Sequence, residues 1–109
     1  QEGRGASARQ YIANMRDGSV CGYKRFDLTL TRAFRVTARG RGEGVLELSF
    51  DERFSAVAAR LDLGHLSRSW SPSGEAALAQ RPSNPASSPL YLRYRGTGHL
   101  DLLTLELLP

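Results

Sequence analysis

Cysteine is nearly absent from this sequence, with Cys21 the sole example. One thiol excludes an internal disulfide and any multi-cysteine metal site. Only two histidines occur, His65 and His99, so a histidine-rich metal cluster has no ligands to draw on. No apolar run approaches the length of a membrane-spanning helix, so no membrane partner is expected. There is no G-x-S-x-G, no P-loop and no dinucleotide fingerprint. Carboxylates are available at Asp17, Asp27, Glu43, Glu47, Asp51, Glu52, Asp62 and Asp101. Several fall at turns or on outward strand positions, and nothing marks out a catalytic pair. The chain opens at Gln1 with neither Met nor signal peptide, and reads as processed or excised from something longer.

Lysine is almost missing too. All but Lys24 of the 15 cationic residues are Arg, and the net charge is +4. A basic balance invites a nucleic-acid reading. The arginines, however, are spread from Arg4 to Arg95 rather than massed, which fits a compositional preference for Arg. No nucleic-acid partner is expected, and a basic nucleic-acid-binding β-domain is kept only as a rival.

At 109 residues and 40% hydrophobic content the chain suits one domain with a modest core. Residues 1–9 are polar and Gly-rich and read as an arm or linker, leaving 10–109 as the domain. Phe26, Leu28 and Leu30 alternate with Asp27, Thr29 and Thr31, the period-two pattern of a half-buried strand. Phe34, Val36 and Ala38 repeat the pattern, as do Leu46, Leu48 and Phe50. The glycines of residues 39–44 lie between these last two, which predicts a hairpin. Val57, Ala59, Leu61 and Leu63 share a face, and a strand is preferred there over a helix. Residues 67–89 hold four of the five prolines and read as irregular, with a helical turn possible over 74–80. Leu90, Leu92 and Tyr94 alternate again. Gly96 and Gly98 then turn the chain into a last strand, Leu100 to Leu108. Short alternating segments between turn residues predict an all-β sandwich of two antiparallel sheets.

The most informative stretch is YIANMRDG, Tyr11–Gly18, an aromatic just before a tight turn. GYKRFDL follows at Gly22–Leu28, and LYLRYRGTGHLDL closes the chain at Leu90–Leu102. Together with Gln1-Glu2-Gly3 these runs resemble family 6 carbohydrate-binding modules. The similarity is greatest to the variant on the C-terminal side of family 43 glycoside hydrolases, the arabinofuranosidases and xylosidases. The resemblance implies a jelly-roll β-sandwich that binds plant polysaccharide and does no chemistry itself. It implies a cleft in which a Tyr and a Trp sandwich a sugar ring while a polar side chain meets its hydroxyls. Tyr11 matches the tyrosine, Trp70 is the only tryptophan available, and His99 occupies the polar position, where the family usually has Asn. Ser19 and Val20 stand where many family members carry Asp and Trp.

Physical chemistry points the same way. A pyranose presents C–H groups on its faces and hydroxyls round its rim, so flat rings cover the faces and polar groups satisfy the edge. No cofactor is required. The family precedent of a structural calcium would fall on Asp101 with Glu2, although calcium needs about six or more oxygen ligands. The expected partners are hemicellulose of the xylan or arabinan type and the catalytic domain of a parent hydrolase. The expected location is secreted or periplasmic, in a bacterium. The rival from a structural class is a sandwich that packs on its catalytic domain without binding free sugar.

Overall fold

The computed structural model describes residues 6–109. Among the described residues nine strands form two antiparallel sheets. They are β1 (Ala6–Met15), β2 (Val20–Phe26), β3 (Ala33–Arg41), β4 (Glu43–Ser49), β5 (Ala59–His65), β6 (Ser71–Pro72), β7 (Ala76–Ala77), β8 (Ser88–Gly96) and β9 (His99–Leu108). One sheet runs β1-β9-β3-β6, with β7 also pairing to β3; the other runs β2-β8-β4-β5. The two antiparallel sheets of a β-sandwich are therefore present. Strand β1 begins at Ala6, so residues 6–9 belong to the sheet and not to an arm.

The alternation seen in the sequence sorts side chains between core and surface. Phe34, Val36, Leu100, Leu102, Leu105 and Leu107 point inward from one sheet. Leu46, Leu48, Leu61, Leu90, Leu92 and Tyr94 point inward from the other. Each large apolar side chain fully buried this way contributes about 1.5–3 kcal/mol. Tyr94 is wholly buried, and its hydroxyl donates to the Thr97 carbonyl at 2.7 Å. The one phenolic group at the centre of the core is thus satisfied.

Three expectations of local structure need correction. The alternation over Phe26–Thr31 does not continue as a strand: β2 ends at Phe26, the Thr31 N–H donates back to the Leu28 carbonyl at 3.1 Å in a turn, and Leu30 is exposed. Strands β3 and β4 are not a hairpin: they lie in different sheets, joined through Gly42 alone. The step from β8 to β9 through Thr97 and Gly98 also changes sheet. These two crossovers lie against each other. The Thr97 N–H donates to the Glu43 carbonyl at 2.9 Å, and Gly42 and Gly98 both adopt positive φ, at 92° and 68°. A side chain on Gly42 would strike Thr97, and one on Gly98 would strike the Arg41 carbonyl. Residues 74–80 form no helical turn either. Ala76–Ala77 and the preceding Ser71–Pro72 instead add short strands to β3. Two-residue pieces give too little periodicity to be recognised.

Candidate functional site

The pairing of β1 with β9 is uneven, and that unevenness builds the site. Arg9 pairs with Thr104, Ile12 with Leu102 and Met15 with Leu100. Gln10 and Tyr11 therefore both oppose Leu103, and Ala13 and Asn14 both oppose Asp101. Such bulges re-aim side chains. Tyr11 is left 55% exposed, unusual for a large ring on a strand. Asn14 takes a left-handed φ of 60°, a conformation Asn tolerates better than most residues. Its N–H then donates to Asp101 Oδ1 at 2.8 Å.

Trp70 arrives from the far side of the same sheet. It immediately precedes β6, which pairs with β3 at Thr37 and Ala38, next to Arg39. The Tyr11 and Trp70 rings meet with centroids 6.0 Å apart and planes at 82°. The Arg39 guanidinium lies over the indole at 4.3 Å from the ring centroid, a cation–π contact. Its Nε donates to Asp101 Oδ2 at 3.1 Å. The Asp101 hydrogen bond holds the guanidinium above its usual pKa, and the Tyr11 phenol adds to the effect. Four side chains from four segments thus interlock on one sheet.

The rings are brought together, but not as parallel walls. A pyranose between two flat faces needs about 7–8 Å, two van der Waals contacts of roughly 3.5–4 Å each. An edge-to-face pair at 6.0 Å leaves no such slot. What it offers is an L-shaped corner. This corrects the expected sandwich geometry while keeping both residues in one place.

His99 opens β9 and pairs with Arg41 at the end of β3. It lines a shallow cavity of about 110 Å³ beside Arg39 and Asp101. Asp101 does not suit a calcium site, because both its oxygens already accept N–H donors, one from a guanidinium. Glu2 lies outside the described residues. Among the described residues no three His, Cys, Asp or Glu side chains gather closely enough to hold a metal.

Arg39 was not singled out from sequence. Its alternation with Val36 and Ala38 marks it as outward-facing, but only the β3–β9 register sets it opposite Asp101.

A larger open trough of about 770 Å³ runs along Gly22, Tyr23, Arg25, Pro89 and Tyr91 on the other sheet. The Trp70 corner is the better site, because aromatic faces and hydrogen-bonding groups converge there. The most buried carboxylate, Glu47, does not resemble a general acid. Burial would raise its pKa, but Arg60 and Arg93 outweigh that and hold it below the ordinary range.

No family model matches this sequence, and no curated protein matches it. Solved structures do match. A family 6 carbohydrate-binding module from Clostridium cellulolyticum, in complex with xylose, superposes with a TM-score of 0.75 at 9% identity. The match covers 99% of this chain and 91% of that one. The fold is that of the family 6 carbohydrate-binding modules. CsCBM6-3 from Clostridium stercorarium, in complex with cellobiose, gives a TM-score of 0.74 at 10% identity over 97% of this chain and 88% of that one. A family 43 arabinoxylan arabinofuranohydrolase from Bacillus subtilis, in complex with cellotetraose, gives 0.76 at 13% identity. There the match covers 92% of this chain but only 21% of the enzyme, so the likeness is to a part of it. The match to these modules spans nearly the whole chain, although few residues are shared.

Proposed function

We propose that this chain is a non-catalytic carbohydrate-binding module that docks xylan- or arabinan-type polysaccharide at the Tyr11–Trp70 corner. His99 stands at its edge as a hydrogen-bonding group. The module serves a secreted or periplasmic bacterial glycoside hydrolase, holding the catalytic domain near its substrate. The observation that carries this reading is the meeting of an exposed tyrosine with the chain's only tryptophan beside polar side chains. The solved structures of this fold support it, since their sugars are cellobiose and xylose.

Stacking contributes about 0.5–1.5 kcal/mol per ring, so affinity is weak, roughly micromolar to millimolar. Because Trp70 is the only indole, its fluorescence reports directly on the site. Titration with xylo- and arabino-oligosaccharides is expected to change that emission, and insoluble xylan is expected to retain the protein. Trp70→Ala and Tyr11→Ala should each weaken retention by roughly 3- to 10-fold or more. Unchanged emission together with no retention on xylan would overturn the reading.

One observation favours a second reading. The perpendicular rings and the guanidinium over the indole leave less open aromatic surface than a sandwich would. A module that only packs on its catalytic domain would show no retention, and would self-associate or lose stability without that neighbour.

A further inference from the structure

Past Arg39 the Trp70 corner runs into the 110 Å³ cavity lined by Arg39, Gly40, Arg41, Arg68, His99 and Asp101. Three arginines and a histidine surround one carboxylate, and that carboxylate is already engaged by Arg39 and the Asn14 N–H. Arg41 and Arg68 are exposed. Among the described residues neither has a carboxylate within ion-pair distance. Arg35, Arg60, Arg93 and Arg95 do have carboxylate partners. Arg16, Arg25, Arg32, Arg53 and Arg81 have none among the described residues, but none of these five lies beside the aromatic corner's cavity. What distinguishes Arg41 and Arg68 is that both line one cavity beside the aromatic corner. Arg41 and His99 are cross-strand partners, and Arg68 stands two residues before Trp70.

We propose that this cavity receives the anionic substituent of an acidic saccharide whose ring rests at the Trp70 corner. The substituent is a uronic-acid carboxylate or a sulfate ester. The inference rests on the carbohydrate-binding reading and adds the sign of the ligand's charge. Size supports a substituent over a ring: whole-ligand pockets run to about 300 Å³ or more, well above this one. Chemistry supports an anion, because a guanidinium fork matches carboxylate and sulfate oxygens two at a time. A nucleic-acid strand is a poorer fit. It needs a charged track with repeated stacking platforms, whereas the neighbouring arginines here are neutralised by ion pairs.

The test titrates the protein at low salt with trigalacturonate and with its fully methyl-esterified form, which keeps the rings and removes the charge. A sulfated trisaccharide, a neutral xylotriose and an oligothymidylate form the remaining arms. The acid is expected to bind about 10-fold more tightly than the ester, as suits a charge-assisted hydrogen bond. Raising the salt should narrow the gap. In the doubly substituted Arg41→Gln, Arg68→Gln protein the ratio of the two affinities should fall to about one. Tight binding of the sulfated sugar but not the uronate would identify sulfate as the group recognised. Equal binding of acid and ester, together with no preference for the sulfated sugar over xylotriose, would overturn the anion site and leave the carbohydrate reading standing. Absence of binding by every saccharide would overturn both. Oligothymidylate binding at or above the acidic sugar's affinity would overturn the saccharide assignment.

Discussion

Cys21 lies on β2 with its thiol packed beside the Tyr23 side chain. Burial pushes the thiol up to about 11, and hydrogen bonds from Tyr23 and the β8 backbone recover only part of the shift. Tyr23 is raised as well, by its own burial first and then by Cys21. At about 11 the thiol holds roughly 100-fold less thiolate at neutral pH than an unperturbed thiol at 9.0, and thiolate is the reactive form. Cys21 should therefore resist iodoacetamide at about pH 8 in the native protein and react readily once denaturant unfolds it. Rapid alkylation without denaturant would show the pocket around it to be open. The same scale shows what sequence could and could not reveal about the site. Tyr11 and Trp70 were visible because one opens a distinctive run and the other is unique. Arg39 was not, because an arginine on the outer face of a strand has no signature until register supplies its partner.

Strands were easier to read than their connections. Period-two alternation marks a half-buried strand wherever its neighbour lies. It does not say whether the next strand pairs with it or crosses to the opposite sheet, so β3 and β4 resembled a hairpin. The glycines make the difference. Gly98 combines a positive φ with a backbone approach to the Arg41 carbonyl that no side chain survives. Gly64 also has positive φ, at 58°, but faces open space. The two positions separate strain from collision. Gly64→Ala should cost about 1 kcal/mol, the backbone penalty alone. Gly98→Ala adds a clash with main chain at the corner where both crossovers meet, so about 2–4 kcal/mol is expected. Urea denaturation of both variants checks the difference; equal losses would mean the crossovers are not in contact. Because Arg41 and His99 flank that corner, Gly98→Ala should also disturb the basic cavity.

Across the whole molecule the two sheets are tied together by core leucines, while the outer faces are held by ion pairs of unequal depth. Arg35 with Glu106 is half-buried and Arg95 with Asp17 is exposed, and pairs so open to solvent contribute little. Glu47 differs: it is only 7% exposed, yet it carries a charge at the middle of the four-stranded sheet. Arg93 donates to it at 2.8 Å and Arg60 at 3.0 Å. Arg93 is in turn braced over the Phe54 ring at 4.2 Å. The folded pKa of Glu47 lies below the ordinary glutamate value of 4.5, so its ionised form is favoured in the native state. Its stabilisation is then fully present above pH 4.5 and is lost as pH falls through the lowered folded value. Glu47→Gln keeps the shape and removes the charge. At about pH 7 it should cost about 1–2 kcal/mol, most of it from Arg93, since the more exposed Arg60 is screened by water. Below its lowered folded pKa the wild-type carboxyl is protonated and resembles the amide, so the two proteins should converge in stability as the pH falls through that value. Denaturation midpoints measured across the acid range decide the matter. A gap that stays constant from neutral to acid pH would mean that Glu47 acts through packing, not through its charge.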